Sequence, residues 1–251
     1  MTMKLNINDR AALAIKNGSK KVEIRANKKD SGKDYGALKT NDIIEFNSNN
    51  LDVFYVKVKE VNYYNSLEEL FTMEGTRYTT SSTNDYNEAI NNVNKLDGYK
   101  EAIRKNGVYA IHIEYLYSVN TVWEELIEKA NKVRNKREVS SMVSAGQVSA
   151  TILTKDHNIY TGVCIDTTSS LGMCAERNAI ANMITNGENE IAKLVCIDSK
   201  GNVGYPCGIC REYLMQLSKS SKDIEILKNI ENHEIIKLEE LIPNWWGYDR
   251  L

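Results

Sequence analysis

Residues 171–180 read LGMCAERNAI and residues 205–214 read YPCGICREYL. Cys174 falls at a helix start, and Cys207 and Cys210, three apart at another, bring both thiols to one face. Helix N-termini favour thiolate over thiol. One strand-like run, AKLVCIDS (192–199), separates the two helices, so a right-handed crossover sets their first turns side by side. Three thiolates converging there suit zinc, which takes sulfur ligands in tetrahedral geometry. A fourth protein ligand, with Cys164 or Cys196 as the remaining thiols, makes such a site structural; a water makes it catalytic. The spacing leaves both open.

Glu176 lies two residues after Cys174, which along a helix side points it elsewhere. At a helix end a site beyond the first turn is within reach of both, and there Glu176 is placed to take a proton from a water that zinc acidifies. Arg177 shares the face of Cys174 and can offset the net negative charge of three thiolates around a dication.

Outward from these stretches the second half alternates helix and strand. TVWEELIEKANKVRNK is amphipathic, with Thr121 and Glu124 spaced as a capping box. QVSATILT and NIYTGVCI follow as strands around the turn KDH, and a helix from Cys174 to Asn186 stops at Gly187. A helix over 207–217 and the strand DIEIL (223–227) complete an α/β layered domain. The first half differs. NINDRAALAIKNG (6–18) reads as a helix and SLEEL (66–70) as a capped helix start. DIIEF, LDVFYVKVKEV and GVYAIHIEY alternate as half-buried strands, and 76–106 is polar and Asn-rich, loop with helix. This predicts a mostly β, barrel-like module over 1–117 and a zinc domain over 118–251, with YSVNT (117–121) as the boundary.

The 251 residues suffice for two cores, and 42% apolar with 26% charged residues is ordinary for a soluble globular protein. A net charge of -2 makes no global case for nucleic acid or an anionic membrane. No apolar run spans a bilayer and MTMKLNINDR lacks a secretory core, so the expected location is the cytoplasm, with no membrane partner. Five cysteines, none before Cys164, argue for reduced thiols with a local task. Cys196 in its apolar run reads as core, and His112 and His157 as strand core and turn.

CAERNAI with PCGICRE resembles the cytidine deaminase family in its three-cysteine form; a ligand-x-Glu followed by Pro-Cys-x-x-Cys is the signature of zinc deaminases. The resemblance covers about 121–251, helped by TGVCID and LIPNWWG, and implies a three-layer α/β/α fold. It implies Zn2+ held by Cys174, Cys207 and Cys210, with Glu176 as proton shuttle and Arg177 beside the ligands. The implied reaction is hydrolytic deamination of a cytosine-like base in a small nucleoside or nucleotide, by a homo-oligomer, typically a homotetramer. The family's Asn-x-Glu, which holds base and ribose, is Cys164-x-Asp166 here, so a modified or blasticidin-like compound stands beside plain cytidine. Trp245 and Trp246 are candidates for an aromatic wall.

NGSKKVEIR (17–25) followed by LKTNDIIEF (38–46) resembles the ASCH domain, a PUA-like β-barrel of α+β class associated with RNA and modified nucleosides. The resemblance spans about 4–117 and implies a cleft lined by Lys20, Glu23 and Arg25. Small members that hydrolyse acetylated cytidine use a Lys and a Thr. Lys20 matches, whereas Glu23 occupies the Thr position, which argues for binding. The alternative to a deaminase is therefore an RNA-associated protein whose barrel, basic between Lys16 and Lys39, docks RNA while the zinc domain is a scaffold or edits RNA. In a third reading the barrel only builds the oligomer.

Overall fold

A computed structural model describes residues 2–29 and 32–251 and divides into two units, one running to Asn120 and one beginning at Thr121. Residues 30 and 31 of the basic stretch lie outside the described residues.

The first unit runs β1 (Thr2–Asn6), α1 (Asp9–Lys16), β2 (Val22–Arg25), β3 (Ile43–Asn47), β4 (Phe54–Tyr64), α2 (Leu67–Glu74), α3 (Tyr86–Asn94), α4 (Tyr99–Asn106) and β5 (Val108–Ser118). Alternation makes the strands: Phe54, Val56 and Val58 face inward along β4 while Tyr55 and Lys57 lie half-exposed between them. The sheet order is β1-β3-β4-β5-β2, with β1 parallel to β3 and the other pairs antiparallel. Among the described residues no ladder joins β1 to β2, so the barrel is a half-barrel; Arg25 Nη2 donates to Asn6 O (2.8 Å) where they end. One core packs α1 on β1, β3, β4 and β5; another packs α2, α3 and α4 on β2 and β5.

Three local expectations are corrected. The stretch read as a helix over 6–18 begins at Asp9, because Asn8 accepts from Ala11 N and caps it, and Met3 and Leu5 are buried in a strand before it. At α2, Ser66 accepts from Glu69 N, but the Glu69 carboxylate takes the Asn65 amide, one residue outside a capping box. Thr121 makes no capping bond, since a 3-10 turn over Val119–Thr121 leads into the helix and fixes its backbone at φ -116, ψ 17.

The second unit runs α5 (Val122–Val133), β6 (Arg137–Ser140), β7 (Val143–Thr154), β8 (Ile159–Thr167), α6 (Ala175–Thr185), β9 (Ile191–Ile197), α7 (Gly208–Met215), β10 (Glu225–Leu227), β11 (Ile235–Lys237) and α8 (Leu238–Leu241). Strand β7 is central: β8 pairs along one edge, and β6 and β9 share the other, with β10 and β11 beyond β9. Ala150 and Ile152 of β7 join α6 and α7 in one core, while α5 packs on β7 and β9 outside that core, giving three layers, α/β/α. Each fully buried Ile or Leu here contributes about 2 kcal/mol.

Candidate metal centre

Two turns build the site. After β8 the chain doubles back, and Met173 exchanges both backbone bonds with Ile165 (2.9 and 2.8 Å), delivering Cys174 as the N-cap of α6. After β9, Gly204 N donates to Cys196 O (2.9 Å) and Arg211 Nε to Pro206 O (2.8 Å), delivering Cys207 as the N-cap of α7. The Cys174 side chain does not cap α6, so its sulfur is free to turn toward Cys207. Gly162 makes the first turn possible: a Cβ there would lie 2.3 Å from Ala179 N and 2.4 Å from Ala175 O, so only glycine lets α6 approach β8 this closely. Asn178 Nδ2 fastens the contact by donating to Val163 O (2.6 Å).

Cys174 Sγ lies 3.6 Å from Cys207 Sγ, and Cys207 Sγ lies 3.5 Å from Cys210 Sγ. All three sulfurs fall within 4.8 Å of one another, and among the described residues no other Cys, His or carboxylate joins them. Cys164 and Cys196, the thiols available to close a structural site, are outside the group. Without a cation the thiols oppose one another. Burial pushes Cys174 and Cys210 up, whereas Cys207, against the same effect, is drawn down by bonds from the Cys210 amide and the neighbouring thiols. A bound dication deprotonates such thiols outright. Three soft donors converging at two helix N-termini fit Zn2+.

Glu176, in the first turn of α6, is 5% exposed, and burial raises its carboxyl above the ordinary range while the Cys210 and Cys196 thiols hydrogen-bond it. Arg177 Nη2 lies 3.9 Å from Cys174 Sγ and donates to Gly172 O (3.3 Å). Sequence reading missed Cys196 as a neighbour of Glu176; twenty residues apart, nothing in their spacing joins them.

Cys164 and Asp166 sit on β8, with the thiol 3.7 Å from Asp166 Oδ2. Cys164 Sγ accepts the Val148 amide (3.2 Å), which lies in the β7 irregularity between Ala145 and Ser149. Its sulfur thus satisfies a donor that a regular ladder would have paired. Trp245 is buried in the core and donates to Glu212 (2.8 Å), whereas Trp246 is 60% exposed and donates to the same carboxylate (2.9 Å). In the first unit, Lys20 and Glu23 are each 6% exposed and pair at 3.4 Å, and Arg25 Nε donates to Glu23 Oε1 (2.9 Å). His112 finds a partner that the sequence did not show, Glu74 Oε2 at 2.9 Å, while His157 occupies a turn at φ +66. No helix is long and apolar enough to cross a membrane among the described residues.

Residues 121–224 match the family model of the cytidine and deoxycytidylate deaminase zinc-binding region, and residues 5–116 match that of the ASCH domain. The chain is 30% identical over 97 residues to a cytidine deaminase of Mycoplasma genitalium, spanning 38% of this chain and 75% of that protein. It is 30% identical over 130 residues to a cytidine deaminase of Sporosarcina psychrophila, spanning 51% and 93% respectively. A crystal structure of cytidine deaminase from Mycobacterium tuberculosis aligns at 26% identity and a TM-score of 0.42, covering 50% of this chain and 98% of that one.

Proposed function

The chain belongs to the cytidine deaminase family, and on that premise we propose that it is a zinc-dependent hydrolase deaminating a cytosine-like base in a small nucleoside or nucleotide. The observation that carries the reading is the convergence of the Cys174, Cys207 and Cys210 sulfurs within 4.8 Å at two helix ends, with buried Glu176 in the first turn beside them. Zinc, when bound, supplies the Lewis acidity that makes a water reactive near neutral pH. Glu176 takes the proton of the attacking water and delivers it to the ring nitrogen next to the amino-bearing carbon. It then passes the second proton to the departing amine; the carbon–nitrogen bond breaks and ammonia leaves. Its carboxyl, raised by burial above its ordinary value, suits a group that must both accept and give a proton. Arg177 steadies the charge on Cys174.

The substrate is read from β8. A carboxylate at Asp166 accepts bonds from sugar hydroxyls, whereas the Cys164 sulfur, occupied by the Val148 amide, offers no carboxamide to a base or ribose. This supports a modified nucleoside, a nucleotide or a blasticidin-like aminopyrimidine over plain cytidine. Exposed Leu171, on the turn before Cys174, and Ile209, between Cys207 and Cys210, support a homo-oligomer. Ammonia release from a panel of cytosine compounds tests the reading, with Glu176→Gln as control. No release from any member by zinc-loaded protein refutes it.

A further inference from the structure

Strand register sets a row of small residues beneath the first turns of α6: Gly162 of β8 pairs with Ala150 of β7, and Ala150 with Cys196 of β9. Side chains directly opposite across a ladder share a face. Here that face carries α6, since Ala150 and Cys196 pack in one core with Ala175 and Ala179. Small side chains let the helix lie close, and Cys196 alone in the row brings a side-chain hydrogen-bond donor. It is 3% exposed, and its thiol hydrogen-bonds the carboxylate of Glu176, which is 5% exposed. The Cys210 thiol bonds the same carboxylate. A thiol that ligates a metal gives up its proton, however, and with it the capacity to donate. Cys196 lies outside the group of converging sulfurs, among apolar side chains that keep a thiol protonated. Of the two thiols beside Glu176, it alone can still donate once zinc is bound.

We propose that Cys196 is a positioning residue for Glu176: in the zinc-loaded protein its S–H donates to the carboxylate from the sheet side and fixes the orientation from which the proton is carried. This role rests on the deaminase reading and adds a residue to its site. A group that takes a proton at one atom and delivers it at another works from one geometry, and a small misplacement is costly. Thiols are weak donors, so the bond orients the carboxylate while leaving its remaining lone pairs to the reaction.

Infrared spectra of the zinc-loaded full chain read the bond directly, because donation lowers the frequency of an S–H stretch. With Cys174, Cys207 and Cys210 on the metal, the thiols left are Cys164 and Cys196, and the band lost in Cys196→Ser belongs to Cys196. That band should move to higher frequency in Glu176→Ala, which removes the acceptor; an unmoved band overturns the proposal. Ammonia release supplies the second readout. Cys196→Ala should keep zinc and KM and lower kcat about tenfold or more, the weight of one hydrogen bond to a charged group. Cys196→Ser, which keeps a donor, should restore most of that loss. Unchanged kcat in Cys196→Ala, or an equal loss in both variants, assigns the thiol to packing and overturns the proposal. So does a loss of zinc in Cys196→Ala, which marks a support of the metal centre instead. A zinc-loaded wild type that deaminates no cytosine compound refutes the deaminase reading, while the S–H band still decides whether Cys196 holds Glu176.

Discussion

The thiol cluster of the second unit and the Lys20–Glu23–Arg25 cluster of the first both gather ionisable groups where water is scarce, yet they resolve their charge differently. Among the described residues the cation beside the thiols is Arg177, whose Nη2 lies 3.9 Å from Cys174 Sγ. Their stability as thiolates is lent by a metal. The first cluster carries its own counter-ion in Glu23, which meets Arg25 at 2.8 Å and Lys20 at 3.4 Å, and is left only slightly positive. A site that must be completed from outside announces itself by repulsion within; a site that is nearly closed stands without its ligand. Perturbing each in turn separates the two designs.

The largest effect is expected at Glu176. Glu176→Gln should keep zinc at wild-type stoichiometry and lower turnover by about 10²–10⁴-fold, the usual weight of a proton-transfer group; metal analysis with ammonia release reads both. Next comes Glu23→Gln, which leaves buried Lys20 and partly buried Arg25 without their anion. Breaking such a buried pair costs about 3–5 kcal/mol, and chemical denaturation of the folded chain measures it. A loss under about 1 kcal/mol would mean that water reaches the cluster and screens it.

Zinc removal strikes the other cluster. At a hundredfold excess over its dissociation constant a ligand stabilises by about 2.7 kcal/mol, so chelation should lower the melting transition of the zinc-loaded protein and added zinc should restore it. Gly162→Ala sharpens the contrast, since the thiol cluster depends on α6 lying against β8. An added Cβ 2.3 Å from Ala179 N must push the helix off, at about 1–3 kcal/mol; thermal melts and zinc affinity should fall together.

The smallest effect is expected at Glu74, away from either cluster in chemistry. Burial raises its carboxyl, but bonds from Tyr64, Asn62 and His112 outweigh that and hold it below its ordinary value of 4.5. A depressed carboxylate contributes stability that is fully present above its unfolded value and lost as pH falls through the folded one. Glu74→Gln should therefore cost about 1 kcal/mol at neutral pH, with the gap to wild type closing below about pH 4.5 in acid titrations.

The sequence by itself determined the class of each half and the chemistry of the metal centre. Alternation along Phe54–Val58 requires a half-buried strand, and cysteines three apart at a helix start share a face whatever the rest of the chain does. Such relations are local, fixed by the two-residue and 3.6-residue repeats of the backbone. The strand Thr2–Asn6 was hidden because five residues, two of them buried, carry too short a pattern to outweigh the helix signal beside them. Tertiary structure alone decided that Cys196 stands behind Glu176, that Cys164 serves the Val148 amide, and that Glu23 sits between two cations. It also decided that the half-barrel stays open, with Arg25 reaching Asn6 across nineteen residues of chain. Those contacts join residues far apart in sequence, and the packing that brings them together is set by shape and desolvation summed over whole layers, which no short window of residues contains.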